Sequence, residues 1–145
     1  MPAEIHYLNG LDKVNEGDYI TSLDDFDKAI ELKPDYYQAY FQKGLVLEAQ
    51  EYYFDAIICF SGAIKYKPDF ADAYFHRANA KEAMNDILGA IEDYTIAISY
   101  KPDFVEAYLD RATLSGMIGD KIGEQEDNEK AQIISSRFRE NIKNT

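Results

Sequence analysis

Positive charge is scarce in this chain: 15 Lys and Arg stand against 27 Asp and Glu, a formal net charge of -12. Such a chain repels phosphate backbones and anionic lipid surfaces, so neither nucleic acid nor membrane is expected as a partner. Acidity of this size keeps a protein soluble, and it also steers basic partners. Cysteine is nearly absent. Cys59 stands alone and cannot close an internal disulfide, which fits a reducing compartment, the cytoplasm. No apolar run approaches the length of a membrane span. The opening residues, Met1-Pro2-Ala3-Glu4-Ile5-His6, lack the basic and apolar stretches of a signal peptide, so no leader is expected.

Chemistry-bearing constellations are missing too. His6 and His76 lie far apart, and no histidine, cysteine and carboxylate spacing indicates a metal site. No glycine-rich phosphate loop follows a strand, and no strands are expected. Ser22 and Ser61 have no base nearby in sequence. The acidic pairs Asp24-Asp25 and Glu92-Asp93 read as solvated helix faces. No cofactor and no catalysis are expected.

What the chain does have is a repeat. Lys33-Pro34-Asp35 returns as Lys67-Pro68-Asp69 and as Lys101-Pro102-Asp103, 34 residues apart each time. A period this strict sets the architecture before any local reading. With 145 residues and 46% hydrophobic content, one folded domain over 1–145 is expected. Two helices fit in each period. In residues 37–70, Tyr40, Gly44 and Leu47 fall at helical spacing, and so do Ala56, Phe60, Ala63 and Ile64. Pro68 ends the second helix, and Asp69 is placed as N-cap of the next. The break between helices holds Gly17, Asn85 or Gly119, residues that tolerate positive φ, whereas Glu51 in the second repeat fits less comfortably. Small residues recur in phase (Gly10, Gly44, Ala78 and Ala112; Ala29, Ala63, Ala97 and Ala131), facing Tyr40, Tyr74 and Tyr108 or Phe26, Phe60 and Tyr94. Small against large lets successive helices interdigitate, and stacking supplies the core that no single pair can bury.

This pattern resembles the tetratricopeptide repeat family, as four repeats over 3–36, 37–70, 71–104 and 105–138. The resemblance implies an all-α, right-handed solenoid of antiparallel helix pairs. It also implies a concave groove, lined by the first helix of each pair, that holds a peptide or helix of another protein. Two places depart from the pattern. His6, Asn9 and Lys13 stand where bulky apolar residues are usual, so the first helix is expected to be frayed or to form an exposed terminal face. Glu124 and Asn128 replace small and aromatic residues in the last repeat. Its second helix is expected to run on to about residue 143, with Ala131, Ile134, Phe138 and Ile142 covering the solenoid end as a capping helix.

Turning each first helix about 100° from its core stripe exposes a second stripe. It comprises Tyr7 and Leu11, then Phe41, Gln42 and Leu45, then Phe75, His76 and Asn79, then Leu109 and Asp110. By the resemblance this stripe faces the groove; Phe41 and Phe75 fit equally well as packing between neighbouring first helices. Co-chaperone members of the family grip acidic chaperone C-termini with lysine, asparagine and arginine, but here the matching places carry Tyr7, Leu11, Gln42, Asp72 and His76. An acidic tail is therefore not expected, and an apolar or amphipathic, net-basic segment is. Lys43, Arg77 and Arg111 lie one residue further round and read as structural groups pairing between repeats. The alternative to a peptide-binding module is a self-assembly unit whose repeat ends stack into a homo-oligomer.

Overall fold

Eight α-helices make up the regular structure of the computed structural model, which describes residues 1–145. They are α1 (Ala3–Glu16), α2 (Tyr19–Leu32), α3 (Tyr37–Ala49), α4 (Tyr53–Tyr66), α5 (Ala71–Ala83), α6 (Ile87–Tyr100), α7 (Val105–Met117) and α8 (Lys121–Lys143). Each repeat is one helix pair, and each second helix packs on the first helix of the next pair. The first helices also meet side by side, α1 with α3 and α3 with α5, which sets them on the inner row of the stack.

Two kinds of turn alternate along the chain. Inside each repeat one residue turns left-handed: Gly17, Glu51, Asn85 and Gly119 have φ of 81, 65, 64 and 84°. The next amide then reaches back five residues, Asp18 to the Lys13 carbonyl (2.9 Å), Tyr52 to Leu47 (2.9 Å), Asp86 to Lys81 (2.8 Å) and Asp120 to Ser115 (2.8 Å). These bonds satisfy carbonyls that a helix end leaves without partners. Asp18, Asp86 and Asp120 go on to cap the following helix, each accepting from the amide three residues on. The second repeat keeps the left-handed turn, with Glu51 in it, but lacks the cap, since Tyr52 offers no capping side chain.

Between repeats the Lys-Pro-Asp turn takes over. The Lys33, Lys67 and Lys101 carbonyls accept from the amides of Tyr36, Phe70 and Phe104 at 3.0, 3.1 and 3.1 Å. The Tyr40, Tyr74 and Tyr108 hydroxyls donate to the carbonyls of Pro34, Pro68 and Pro102 at 3.2, 3.0 and 3.0 Å. Asp69 is not a cap: α5 begins one residue later with Phe70 flanking it and no side-chain capping bond. The Phe70 ring packs on Phe41 at 4.6 Å, and Asp69 turns toward Lys67 at 3.6 Å.

The core follows the small–large series. A Cβ on Gly10 would lie 2.6 Å from Phe26, and one on Gly44 would lie 2.5 Å from Phe60, so only glycine admits those rings. Ala29, Ala63 and Ala97 are fully buried. The largest cluster gathers Tyr74, Tyr94, Phe104 and Leu114 in the third repeat and the start of the fourth. In the fourth repeat, Glu124 displaces the small residue, and Gly116 opposite supplies the room: a Cβ there would come within 2.9 Å of the Glu124 carboxylate.

Buried ion pairs tie the helices of a pair together. Arg77 donates Nε and Nη2 to the two oxygens of Asp93, both at 2.8 Å, and Nη1 to Ser61 of the preceding repeat at 3.1 Å. Arg111 repeats this on Asp127 at 2.8 and 2.7 Å and on Thr95 at 3.0 Å. The main pairing is thus within a repeat, with one further bond between repeats. In the second repeat Lys43 occupies the arginine place and Cys59 the aspartate place. Lys43 turns to Asp27 at 2.6 Å, and burial pushes the Cys59 thiol up to about 11.

Three sequence expectations are corrected here. α1 is a full 14-residue helix, not a frayed one, because His6 and Lys13 face Asp25 on α2 instead of an apolar neighbour. Asp25 and Asp93 are 5% and 1% exposed, not solvated, since each is paired with a base. Burial alone would raise the Asp25 carboxyl, but the hydrogen bond and charge of Lys13, with His6, hold it below its ordinary value. Finally, α8 buries Ala131 and Ile134 against Tyr108, Phe138 is half covered beside Pro102, Asp103 and Val105, and Ile142, 73% exposed, lies beyond the cover. The cause is length, because a 23-residue helix overhangs a 13-residue partner.

Candidate binding groove

The inner row of first helices carries the residues expected to face a ligand. Three of them form a ladder with the aromatic residue that follows each Lys-Pro-Asp turn. Tyr7 packs on Tyr36 at 5.0 Å, Phe41 on Phe70 at 4.6 Å, and Phe75 on Phe104 at 4.6 Å. All three remain half-buried, with Phe41 and Phe75 packed on the next repeat's aromatic rings and still partly accessible. Burial raises the Tyr7 hydroxyl above its ordinary pKa, with Gln42 beside it pulling the other way. Leu11 is half-buried, and Leu45 lies against the cluster of Leu47, Ala56 and Phe60. The ladder loosens at the fourth repeat, where Leu109 is 44% exposed.

Polar residues on the same row form a connected set. His76 Nδ1 lies 2.9 Å from Glu48, bridging α5 to α3, and its ring stacks on Phe60 at 5.8 Å. The Tyr94 hydroxyl rises from α6 and hydrogen-bonds Asn79 at 2.6 Å and Glu82 at 3.0 Å. Burial, reinforced by the carboxylate of Glu82, raises that hydroxyl well above the usual tyrosine range. Asp110 is raised as well, first by burial and then by the charges of Glu82 and Glu106. Of the expected residues, the structure brings together Phe41, Phe75, His76 and Asn79 around the second and third repeats. Tyr7 on α1 meets Gln42 on α3, Leu11 lies one turn on along α1, and Leu109 and Asp110 lie on α7. Tyr94 escaped the sequence reading because it belongs to a second helix. The signal was its hydroxyl, which the equivalent Phe26 and Phe60 lack and which a buried site must satisfy.

The arrangement offers apolar surface and negative charge. Arg77, Lys81 and Arg111 are drawn to Asp93 and Asp127. No ion pair reaches Glu82 or Asp110. No three His, Cys, Asp or Glu side chains converge as metal ligands, and no helix is long and apolar enough to cross a membrane.

Comparison with known proteins agrees with this geometry. The family description "Tetratricopeptide repeat" matches residues 37–70 and 71–104. An uncharacterised protein of Methanocaldococcus jannaschii is 43% identical over 57 residues, covering 39% of this chain and 66% of that one. The chain thus spans a little under two thirds of that relative's length. Among solved structures, a crystal structure of MamA superposes with a TM-score of 0.92 at 22% identity, over 95% of this chain and 81% of that one. The first tetratricopeptide domain of Spaghetti (RPAP3), bound to an HSP90 peptide, gives a TM-score of 0.78 at 18% identity, over 81% and 93% of the two chains. Four helix pairs recur at a 34-residue period, the two over residues 37–70 and 71–104 match the tetratricopeptide repeat description, and the chain as a whole has the all-α tetratricopeptide solenoid fold of these structures.

Proposed function

We propose that this protein is a non-catalytic interaction module whose inner row of helices holds a peptide or helix of another protein, apolar on one side and net-basic. The observation that carries this reading is the unbalanced charge on that row. Glu82 and Asp110 sit half-buried beside exposed Leu109 and half-buried Phe75, with every nearby arginine committed elsewhere. A lysine or arginine entering there would offset the burial and the repulsion by Glu82 and Glu106 that raise Asp110, and apolar neighbours would be desolvated with it. Acidic tails meet charge of their own sign there and are repelled. Solved structures at this level of identity share the fold, so the HSP90 peptide held by Spaghetti is a precedent for a bound segment and not for its charge.

The test is calorimetric titration with a short synthetic peptide of alternating leucine and lysine. Leu109→Ser is expected to weaken binding at the inner row by about 1–2 kcal/mol, in the range of an interface anchor. Asp110→Asn should also weaken it, and affinity should fall as pH drops through the raised Asp110 pKa, because the protonated acid no longer attracts the base. The same change should stabilise the free protein. The native state holds the Asp110 proton more tightly than the unfolded chain does, so its charged form opposes folding at neutral pH. Undiminished binding by both variants, with the fold intact, would place the site elsewhere.

A further inference from the structure

The turns inside the repeats form one edge of the solenoid, and that edge is apolar. The second residue of each second helix is Ile20, Phe54, Leu88 and Ile122, one per repeat at a spacing of 34. They are 77%, 65%, 70% and 73% exposed. A single exposed leucine is ordinary, but four at one phase are not. No cluster of the core includes any of them. Around them the edge adds Tyr52, Met84 and Met117, exposed by 58%, 48% and 65%. The turns also adjoin: a cavity of about 270 Å³ is lined by Tyr52, Tyr53 and Phe54 of the second repeat together with Met84 of the third. The edge is therefore continuous across a repeat boundary there.

Its charge has one sign. Asp18, Asp86 and Asp120 are spent on capping their own helices. Glu16, Glu51 and Asp55 are in no ion pair, and the bases nearest the turns are bonded elsewhere: Lys13 to Asp25, Lys43 to Asp27, Lys81 to Asp93 and Lys121 to Glu124. A second copy would bring the same acids to the same face and be repelled. We propose that this turn edge is a docking surface, separate from the inner row, for a positively charged amphipathic segment of a partner protein that lays apolar side chains on Phe54 and Leu88 and bases on Glu51 and Asp55. The surface is independent of the groove reading, and either can fail alone.

Amide chemical shifts of the ¹⁵N-labelled full chain, titrated with the leucine–lysine peptide at low salt, test it. Shifts are expected at the turns around Glu51–Asp55 and Asn85–Gly89, apart from any at the inner row. The double variant Phe54→Ser/Leu88→Ser should weaken the turn-edge site at least tenfold and leave inner-row shifts in place. Because all four substituted or charged positions are exposed, Glu51→Lys/Asp55→Lys serves as a second variant that keeps the apolar row. It should weaken the same site at least fivefold, and 0.5 M salt should do likewise. The proposal is overturned if shifts appear at the inner row alone, or if both variants bind at the turns as the parent does. It is also overturned if sedimentation shows the pure chain self-associating through a contact that Phe54→Ser/Leu88→Ser abolishes, for then a second copy covers the edge.

Discussion

Glu51 shows how a single position can break an otherwise shared rule. Four equivalent residues adopt positive φ; two are glycine, one is asparagine, and Glu51 at 65° has a Cβ that the left-handed region disfavours. Its neighbour Tyr52 then fails to cap α4. At the equivalent Gly17 and Gly119 a Cβ would touch nothing, so the strain at Glu51 is local to the backbone rather than a clash. Glu51→Gly is therefore expected to stabilise the protein by about 0.5–1 kcal/mol, the left-handed cost removed less the extra freedom glycine gives the unfolded chain. Thermal melts of the two proteins decide it, and a lower midpoint for the glycine variant would mean that the side chain earns its place through a contact at the turn edge.

At the scale of elements, much of the fold was legible because the period writes each helix pair three or four times. The proline turns could be read from Pro34, Pro68 and Pro102, the left-handed breaks from Gly17, Asn85 and Gly119, and the small–large phases from Gly10, Gly44, Phe26 and Phe60. What could not be read were pairings that depend on which way a side chain leaves its helix. Asp25 and Asp93 look like any surface acid in sequence, yet both lie opposite bases sixteen or twelve residues away on the antiparallel neighbour. Phe138 and Ile142 continue an apolar stripe, but whether a stripe is covered depends on the length of the helix beneath it. The inner row was legible as a stripe on the first helices and not as a network, since Tyr94 enters it from behind. These ion pairs can be ranked. Arg77→Met leaves Asp93 with Lys81 at 2.9 Å, whereas Arg111→Met leaves Asp127 with no base at all, because Ser115 fills the place of Lys81. The first should cost roughly 1 kcal/mol and the second roughly 3 kcal/mol, as an uncompensated buried carboxylate demands. Denaturant midpoints for the two variants measure the difference, and equal losses would show that Lys81 gives Asp93 no support.

Across the whole molecule, the helix contacts run within a repeat or to the next repeat, so stability is a sum of helix pairs and the faces between them. Those terms are unequal. The third repeat holds the largest buried cluster, the doubly bonded Arg77 and the Lys81 pair, with a covered face on either side. The first repeat carries a charge of -6 over residues 3–36 and only a four-residue cluster. The last ends in an overhang in which Phe138 is only half covered and Ile142 is 73% exposed. A one-dimensional stack with weak ends opens from the ends inward. Native-state hydrogen exchange is therefore expected to give the slowest amides in α5 and α6. Those of α1 and of α8 beyond Ile134 should exchange through openings that require far less than global unfolding. Raising salt to 0.5 M should slow α1 more than α6, since screening relieves repulsion where charge is densest. Uniform protection over all eight helices would mean that the faces between repeats are strong enough to make the solenoid open as one unit. Protection greatest in α1 would mean that the Lys13–Asp25–His6 cluster outweighs the repulsion around it.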